Sequence, residues 1–181
     1  MVAPTFRSTT AVVVEIVLTL GAGACGDVFG TGRPDTAGSP GGTDDGRVTV
    51  DVIEVVDGDT IRVDLDGFST PVRLIGIDTP ERDGPYTHEE CYGAEASRYT
   101  EGALDGRAIE LEFDVERTDR FDRTLAYVWL DRELFNERIL RDGFALQATF
   151  PPNVRYVDRL IEAQRTARAQ GAGLWGACPA P

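Results

Sequence analysis

Short runs in which apolar and polar residues alternate follow one another between positions 48 and 130. A period of two places successive side chains on opposite faces, which is typical of β-strands. The first two runs are separated by Asp57-Gly58-Asp59, and Asp66-Gly67 has the composition of a tight hairpin turn. The pattern therefore predicts five strands, over residues 48–56, 60–65, 72–81, 107–113 and 124–130.

Three other segments have helical patterns. Residues 92–104 predict a helix after the third strand, and Asn136 is a suitable N-cap for a short helix that ends at Gly143. A last helix ends at Gly171, and one face of it is marked by Val157, Leu160, Ile161 and Ala167. This order predicts an α+β fold, namely a five-stranded Greek-key barrel of the oligonucleotide-binding (OB-fold) type with three helices.

The N-terminal residues have a different composition. Arg7, an apolar run over residues 11–20 and small residues up to Cys25 predict a signal peptide over residues 1–25. The apolar run is too short to span a bilayer. Because Cys25 directly follows Ala-Gly-Ala, as in a lipoprotein cleavage box, we expect a lipid anchor there. Free secretion and a misassigned start codon are the alternatives.

Residues 26–46 are rich in Gly, Thr, Asp, Pro and Ser, and they predict a flexible linker. The folded domain would then cover residues 47–178. We expect a monomer that is secreted or held at the extracellular face of the cell membrane. Contact with the membrane would be limited to the lipid anchor.

The charge of the chain is strongly negative. Its net charge is −13, and all 18 basic residues are arginines because the sequence contains no lysine. Such a composition predicts a hydrated acidic surface of the kind that suits strong salt, as in a halophile. The absence of a basic patch argues against nucleic-acid binding by simple electrostatic attraction.

The third predicted strand carries the candidate chemistry. Arg73 lies in mid-strand, and Asp78, Thr79-Pro80 and Glu81 follow at its end. Asp59, in the first turn, would meet Asp78 if the two strands are neighbours. Carboxylates and an arginine in this arrangement suit a hard divalent cation and a phosphate group.

Each of these residues also has a structural interpretation. Asp59 alone is part of a hairpin turn, Arg73 and Glu81 would form a salt bridge, and Arg123 would be a solvated residue at a strand entry. Taken together, however, Arg73, Glu81 and Arg123 can fill the roles that phosphodiester hydrolysis needs. These roles are a base for water and cations that offset charge on the phosphate.

Four linked motifs resemble the thermonuclease family, whose best-known member is staphylococcal nuclease. They are VDGDT at residues 56–60, RLIGIDTPE at 73–81, YGAEA at 92–96 and RTDRFDRTLAY at 117–127. The resemblance implies a five-stranded barrel with three helices and calcium-dependent hydrolysis of DNA and RNA. The alternative is a non-catalytic OB-fold module that binds nucleic acid or protein, although such modules tend to lose the metal and arginine positions that are present here.

The resemblance also implies roles for individual residues. Calcium would be held by the carboxylates of Asp59 and Asp78 and by the backbone carbonyl of Thr79. The implied catalytic residues are Glu81, as general base for the attacking water, and Arg73 and Arg123, which would stabilise the phosphate. Cleavage in this family leaves a 3′-phosphate and a 5′-hydroxyl.

The binding surface departs from the best-known member. Phe121 and Phe150 stand where that protein has tyrosines, and the lysines that help to hold phosphates there have no lysine counterpart in this chain. We expect Phe121 and Phe150 to bind substrate by stacking on bases, without the hydrogen bonds that a phenol would add.

The three cysteines allow one disulfide if Cys25 carries lipid. Cys91 and Cys178 would then remain as a pair, and an exported protein meets an oxidising environment. We therefore expect a Cys91–Cys178 disulfide that ties the inserted helix to the C-terminal tail.

Overall fold

The computed structural model describes residues 46–84 and 88–179. The predicted signal peptide, Cys25 and all but the last residue of the predicted linker lie outside the described residues. Within the described ranges, no helix has the length and apolar character needed to cross a membrane.

The described chain contains eight strands and four helices. In order they are β1 (Val48–Val55), β2 (Thr60–Leu65), β3 (Phe68–Leu74), β4 (Ile77–Asp78), α1 (Gly93–Leu104), β5 (Ala108–Glu112), β6 (Thr124–Leu130), β7 (Glu133–Leu134), α2 (Phe135–Arg141), β8 (Leu146–Gln147), α3 (Val157–Gln170) and α4 (Leu174–Ala177).

Five of these strands close into a barrel. The main sheet has the order β3-β2-β1-β5-β6-β7, and a parallel pairing of β3 with β6 joins its two sides. The predicted hairpin is confirmed, because Leu65 pairs with Phe68 and the turn residues Asp66 and Gly67 have φ values of 55° and 82°. Positive φ at both positions matches the right-handed twist of the strands. The pairing of β3 with β6 closes the sheet and confirms the predicted barrel.

The alternating pattern produces the core of the barrel. Apolar residues two positions apart on each strand point inward, where they are buried with residues of the helices. On β2 and β3, for example, Ile61, Val63, Val72 and Leu74 are at most 1% exposed. The helices α1, α2 and α3 provide the three predicted helices, and the four-residue α4 is an addition that the sequence pattern did not predict.

The predicted third strand is wrong in its extent. β3 begins earlier, at Phe68, and ends at Leu74, after which the chain turns at Gly76 with φ 80°. Ile75, which lies between the end of β3 and this turn, is buried. Ile77 and Asp78 form the separate strand β4, which pairs with β8.

Two helical predictions are also wrong. Asn136 does not cap α2, because it lies inside that helix and is fully buried. Its side-chain oxygen accepts the Val128 N–H at 2.9 Å, and its amide donates to the Ile75 carbonyl at 2.8 Å. In α3 the apolar face contains Leu160 but not Ile161, which is 49% exposed.

Candidate functional site

A carboxylate cluster forms where β2, β3 and β4 meet. Thr60 pairs with Arg73 in the β2–β3 ladder, which places Asp59 beside the end of β3. Arg73 Nε lies 3.0 Å from Asp59 Oδ1, and Arg73 Nη2 lies 2.8 Å from Asp78 Oδ1. The guanidinium thus bridges two carboxylates that come from different segments of the chain.

The break after β3 makes this bridge possible. In a continuous strand, residues five apart would be separated by about 16 Å and would face opposite sides. The turn at Gly76 brings the chain back, and Arg73 Nη1 donates to the carbonyls of Leu74 and Ile77, each at 2.8 Å. The Asn136 amide holds the Ile75 carbonyl in the same turn.

Thr79 is fixed against the first turn. Asp59 Oδ2 accepts the Thr79 N–H at 2.9 Å and the Thr79 hydroxyl at 3.2 Å. A Cβ added at Gly58 would lie 2.7 Å from the Thr79 side chain, so only glycine fits at that position. Thr100 on α1 donates to the Gly58 carbonyl at 2.7 Å. Sequence reasoning missed the supporting roles of Gly58 and Thr100, although the motif contained Gly58.

Glu81 lies at the edge of this cluster and is exposed. Loss of hydration raises the pKa of its carboxyl, and the charges of Asp59, Asp78 and Glu90 raise it further. The alternative salt bridge between Arg73 and Glu81 is wrong for the described residues, because the carboxylates within 4 Å of Arg73 are those of Asp59 and Asp78.

Negative charge accumulates around Asp59. Burial, followed by the charge of Asp59, raises the pKa of Asp57 to about 6. Burial and then Asp59 also raise the pKa of Asp78, and Arg73 offsets only part of that effect. The cluster would therefore be stabilised by a bound cation.

Arg123 is held by a turn at residues 119–123. Arg123 donates its Nε–H to Asp119 Oδ2 at 2.8 Å, and Arg123 Nη2 lies 2.8 Å from the same oxygen. The other carboxylate oxygen, Asp119 Oδ1, accepts the backbone N–H groups of Phe121 and Arg123. Burial acts to raise the pKa of Asp119, but these hydrogen bonds outweigh it and the pKa is lowered. Asp119 thus fixes the Arg123 side chain through an ion pair, and the sequence analysis did not identify this role.

A cleft of about 480 Å³ brings the two arginines together with the predicted stacking residues. Its lining includes Arg73, Arg123, Phe121 and Phe150. The two phenylalanines are 63% and 73% exposed. Arg120, which was not predicted, also lines the cleft, and its guanidinium lies 4.6 Å from the centre of the Phe121 ring. Positive charge and exposed aromatic surface therefore share one cavity, and Arg73 connects it to the carboxylate cluster.

The oxygen donors of the cluster fit calcium in type. No group of three or more His, Cys, Asp or Glu side chains in the described part of the chain is arranged to hold a metal ion. The predicted set requires only the two carboxylates of Asp59 and Asp78 together with the Thr79 carbonyl. Calcium accepts carbonyl and water oxygens alongside carboxylates in a loose geometry, so this donor set is compatible with it.

The two cysteines that were predicted to pair, Cys91 and Cys178, form a disulfide. Cys91, just before α1, and Cys178, just after α4, are joined by a disulfide with a Cα–Cα distance of 5.9 Å. The link spans 87 positions of sequence and lies next to Glu90, whose side chain contacts the backbone of Glu81.

Comparison with known proteins shows the family to which the chain belongs. A sequence model described as "Staphylococcal nuclease homologue" matches residues 71–177. The chain is 44% identical over 127 residues to a thermonuclease of Staphylococcus hyicus, which covers 70% of this chain and 75% of that protein. It is 43% identical over 124 residues to a thermonuclease of Staphylococcus intermedius, covering 68% and 74%. It is 33% identical over 130 residues to the endonuclease YncB of Bacillus subtilis (strain 168), covering 71% and 62%. The chain belongs to the staphylococcal nuclease homologue family.

Proposed function

We propose that this protein is a calcium-dependent nuclease that hydrolyses phosphodiester bonds of DNA, RNA or both. The observation that carries the proposal is the position of Arg73. Its guanidinium contacts Asp59 and Asp78, and Arg73 is also one of the residues that line the cleft together with Arg123, Phe121 and Phe150. One residue thus links the candidate metal ligands to the candidate substrate cleft.

The cleft supplies binding and orientation. Phe121 and Phe150 are largely exposed, so unpaired bases of any sequence would be able to stack on them. Arg73 and Arg123 both line this cleft, and their guanidinium groups would contact oxygens of the scissile phosphate. Their charge would stabilise the negative charge that develops on that phosphate in the transition state.

The carboxylates divide into two roles. Asp59, Asp78 and the Thr79 carbonyl would hold calcium, which when bound supplies charge that offsets the phosphate and the attacking water. Glu81 would accept the proton from water. Its raised pKa makes it a stronger base, and its exposure leaves it accessible to solvent. Arg123, held by Asp119, would serve the departing 5′-oxygen, so that the products carry a 3′-phosphate and a 5′-hydroxyl.

The location in the cell is part of the proposal. A signal peptide and a lipidated Cys25 would place the enzyme on the extracellular face of the membrane, and cleavage without lipidation would release it. The sequence pattern of residues 1–25 supports this location, and so does a fold that carries a disulfide.

Hydrolysis assays on single-stranded DNA, duplex DNA and RNA test the function. We expect cleavage in calcium, loss of cleavage in excess chelator, weaker cleavage in magnesium, and products with 3′-phosphate ends. Glu81→Gln should hydrolyse the substrate on the order of 10²-fold more slowly, and Glu89→Gln is the matched control because Glu89 is an exposed glutamate in the same loop. Unchanged hydrolysis in chelator would refute the calcium requirement. Nucleic-acid binding without hydrolysis in any condition would instead support the non-catalytic module.

A further inference from the structure

The backbone of Glu81 is held by the segment that begins at Glu90. The Glu81 N–H donates to Glu90 Oε2 at 3.0 Å, and the Glu90 N–H donates to the Glu81 carbonyl at 2.8 Å. A Cβ added at Gly93 would lie 2.1 Å from the Glu81 carbonyl oxygen, so Gly93 packs directly against it. Three contacts from residues 90–93 therefore fix one residue, and that residue is the proposed general base.

The segment that holds Glu81 is itself held in an unfavourable conformation. Tyr92 has φ 75°, a left-handed value that is unfavourable for a residue with a side chain. Such a conformation persists only where the surroundings enforce it. Here the Tyr92 ring packs against Phe144, and the preceding residue, Cys91, is covalently joined to Cys178.

The partner end of the disulfide is well anchored. The Cys178 N–H donates to the Leu174 carbonyl at 2.9 Å, at the end of α4. Leu174 is buried, and its N–H donates to the Gly143 carbonyl, also at 2.9 Å. The disulfide thus connects the segment after Glu90 to a fixed part of the fold.

From this geometry we propose that Glu90 is a positioning residue for Glu81 and that the Cys91–Cys178 disulfide keeps it in place, so that reduction of the disulfide lowers turnover. The proposal rests on the proposed function, since it assigns Glu81 the role of base. Asp59 and Asp78 are set by the barrel and by Arg73, so calcium affinity should change much less than turnover.

The redox step requires a dithiol reductant. One thiolate of the reductant attacks Cys91 Sγ, the S–S bond breaks, and Cys178 leaves as a thiolate. The second thiol of the reductant then displaces Cys91 and closes the disulfide of the reductant. Two electrons and two protons pass to the protein, which ends with two thiols. Cys91 is exposed, which allows the first attack.

Four variants test the proposal beside dithiol-treated wild type. They are Glu90→Ala, Glu90→Gln, the double variant Cys91→Ser/Cys178→Ser, and Glu89→Ala as the control at an exposed neighbouring glutamate. For each we would measure kcat and KM in saturating calcium, the Kd for calcium, and hydrogen exchange of the Glu81 amide in the calcium-free protein. Exchange at core amides of β2 and β3 checks that each variant is folded.

We expect Glu90→Ala, the double cysteine variant and the reduced protein to lose on the order of 10-fold in kcat, with KM and the calcium Kd nearly unchanged. Exchange of the Glu81 amide should accelerate by a similar factor. Glu90→Gln keeps an oxygen acceptor for the Glu81 N–H and should restore most of kcat, and Glu89→Ala should match wild type.

The two proposals fail in different ways. If wild type hydrolyses no nucleic acid, the proposed function fails, and the exchange rate of the Glu81 amide still decides whether Glu90 and the disulfide hold that residue. The other case is that wild type is active. If Glu90→Ala and the reduced protein then have the same kcat and the same exchange rate of the Glu81 amide as wild type, Glu90 and the disulfide do not position Glu81.

Discussion

Arg73→Lys should weaken both the fold and the chemistry. The arginine side chain is 14% exposed and makes four polar contacts, to Asp59, to Asp78 and to the carbonyls of Leu74 and Ile77. A lysine keeps the positive charge, but its donors diverge from a single nitrogen atom. It can reach one of the carboxylates but cannot span both while also serving the two carbonyls.

The size of the effect follows from those contacts. We expect at least two of the four to be lost, each worth about 1–1.5 kcal/mol net. The free energy of unfolding should therefore fall by about 2–3 kcal/mol. Because a lysine also cannot offer two parallel N–H groups to a phosphate, kcat should fall on the order of 10²-fold.

Urea denaturation in calcium-free buffer measures the first effect, and hydrolysis rates in saturating calcium measure the second. Arg62→Lys is the matched control, because Arg62 lies on β2 and pairs with Glu54 at 3.7 Å, with side chains that are 41% and 60% exposed. That substitution should change the free energy of unfolding by less than about 0.5 kcal/mol and leave kcat unchanged. The assigned role of Arg73 would be wrong if Arg73→Lys behaved like Arg62→Lys in both assays.

Four further outcomes are expected. Glu81→Gln should lower kcat on the order of 10²-fold with little change in KM, because the amide cannot accept a proton, and near-normal turnover in this variant would contradict the base role. Thiol titration of the denatured mature protein should find Cys91 and Cys178 unreactive until reduction, and replacing both with serine should lower the free energy of unfolding by about 4–5 kcal/mol for a loop closed across 87 positions. Phe121→Ala should weaken substrate binding by about 1–3 kcal/mol in titrations monitored by fluorescence anisotropy, whereas an unchanged Kd would argue against stacking at that ring. Binding measured from low to high salt should depend on salt less steeply than binding by a lysine-rich relative, since the net charge is −13, and an equally steep dependence would contradict this.

The parts of the fold that local pattern controls were predictable from the sequence. β2 and β6 have the predicted bounds. In β2 the alternation coincides with burial inside the barrel, and β6 is an apolar run whose residues 126–130 are all buried. The Asp66-Gly67 turn was predictable because few residue pairs adopt positive φ at both positions. The pairing of β2 with β3 places Asp59 beside Arg73, whereas the closeness of Asp59 and Asp78 depends on the turn at Gly76.

The break after β3 could not be predicted in the same way. Residues 72–77 keep the apolar composition of a strand, and an isolated glycine such as Gly76 also occurs within strands, so it does not by itself show that the ladder stops at Leu74. The break is stabilised by the Asn136 amide, which lies 61 positions further along the chain and binds the Ile75 carbonyl. A buried amide that satisfies a backbone group at this distance leaves no periodic signal, so Asn136 was taken for a helix cap. The contacts from Glu90 to Glu81 also leave no periodic signal in the sequence, because they join two loop residues that are nine positions apart.

The site also shows why net charge is a poor guide to what this chain can bind. Each arginine proposed to act on phosphate is paired with acid, Arg73 with Asp59 and Asp78, and Arg123 with Asp119. These pairs fix the guanidinium groups in place, and they also cancel much of the charge that would act at long range. We therefore expect weak attraction of nucleic acid from a distance, and in the proposed function affinity would come from directed hydrogen bonds, a cation and ring stacking inside the cleft. An acidic protein can use such short-range contacts in strong salt, where the long-range attraction of a basic surface would be screened.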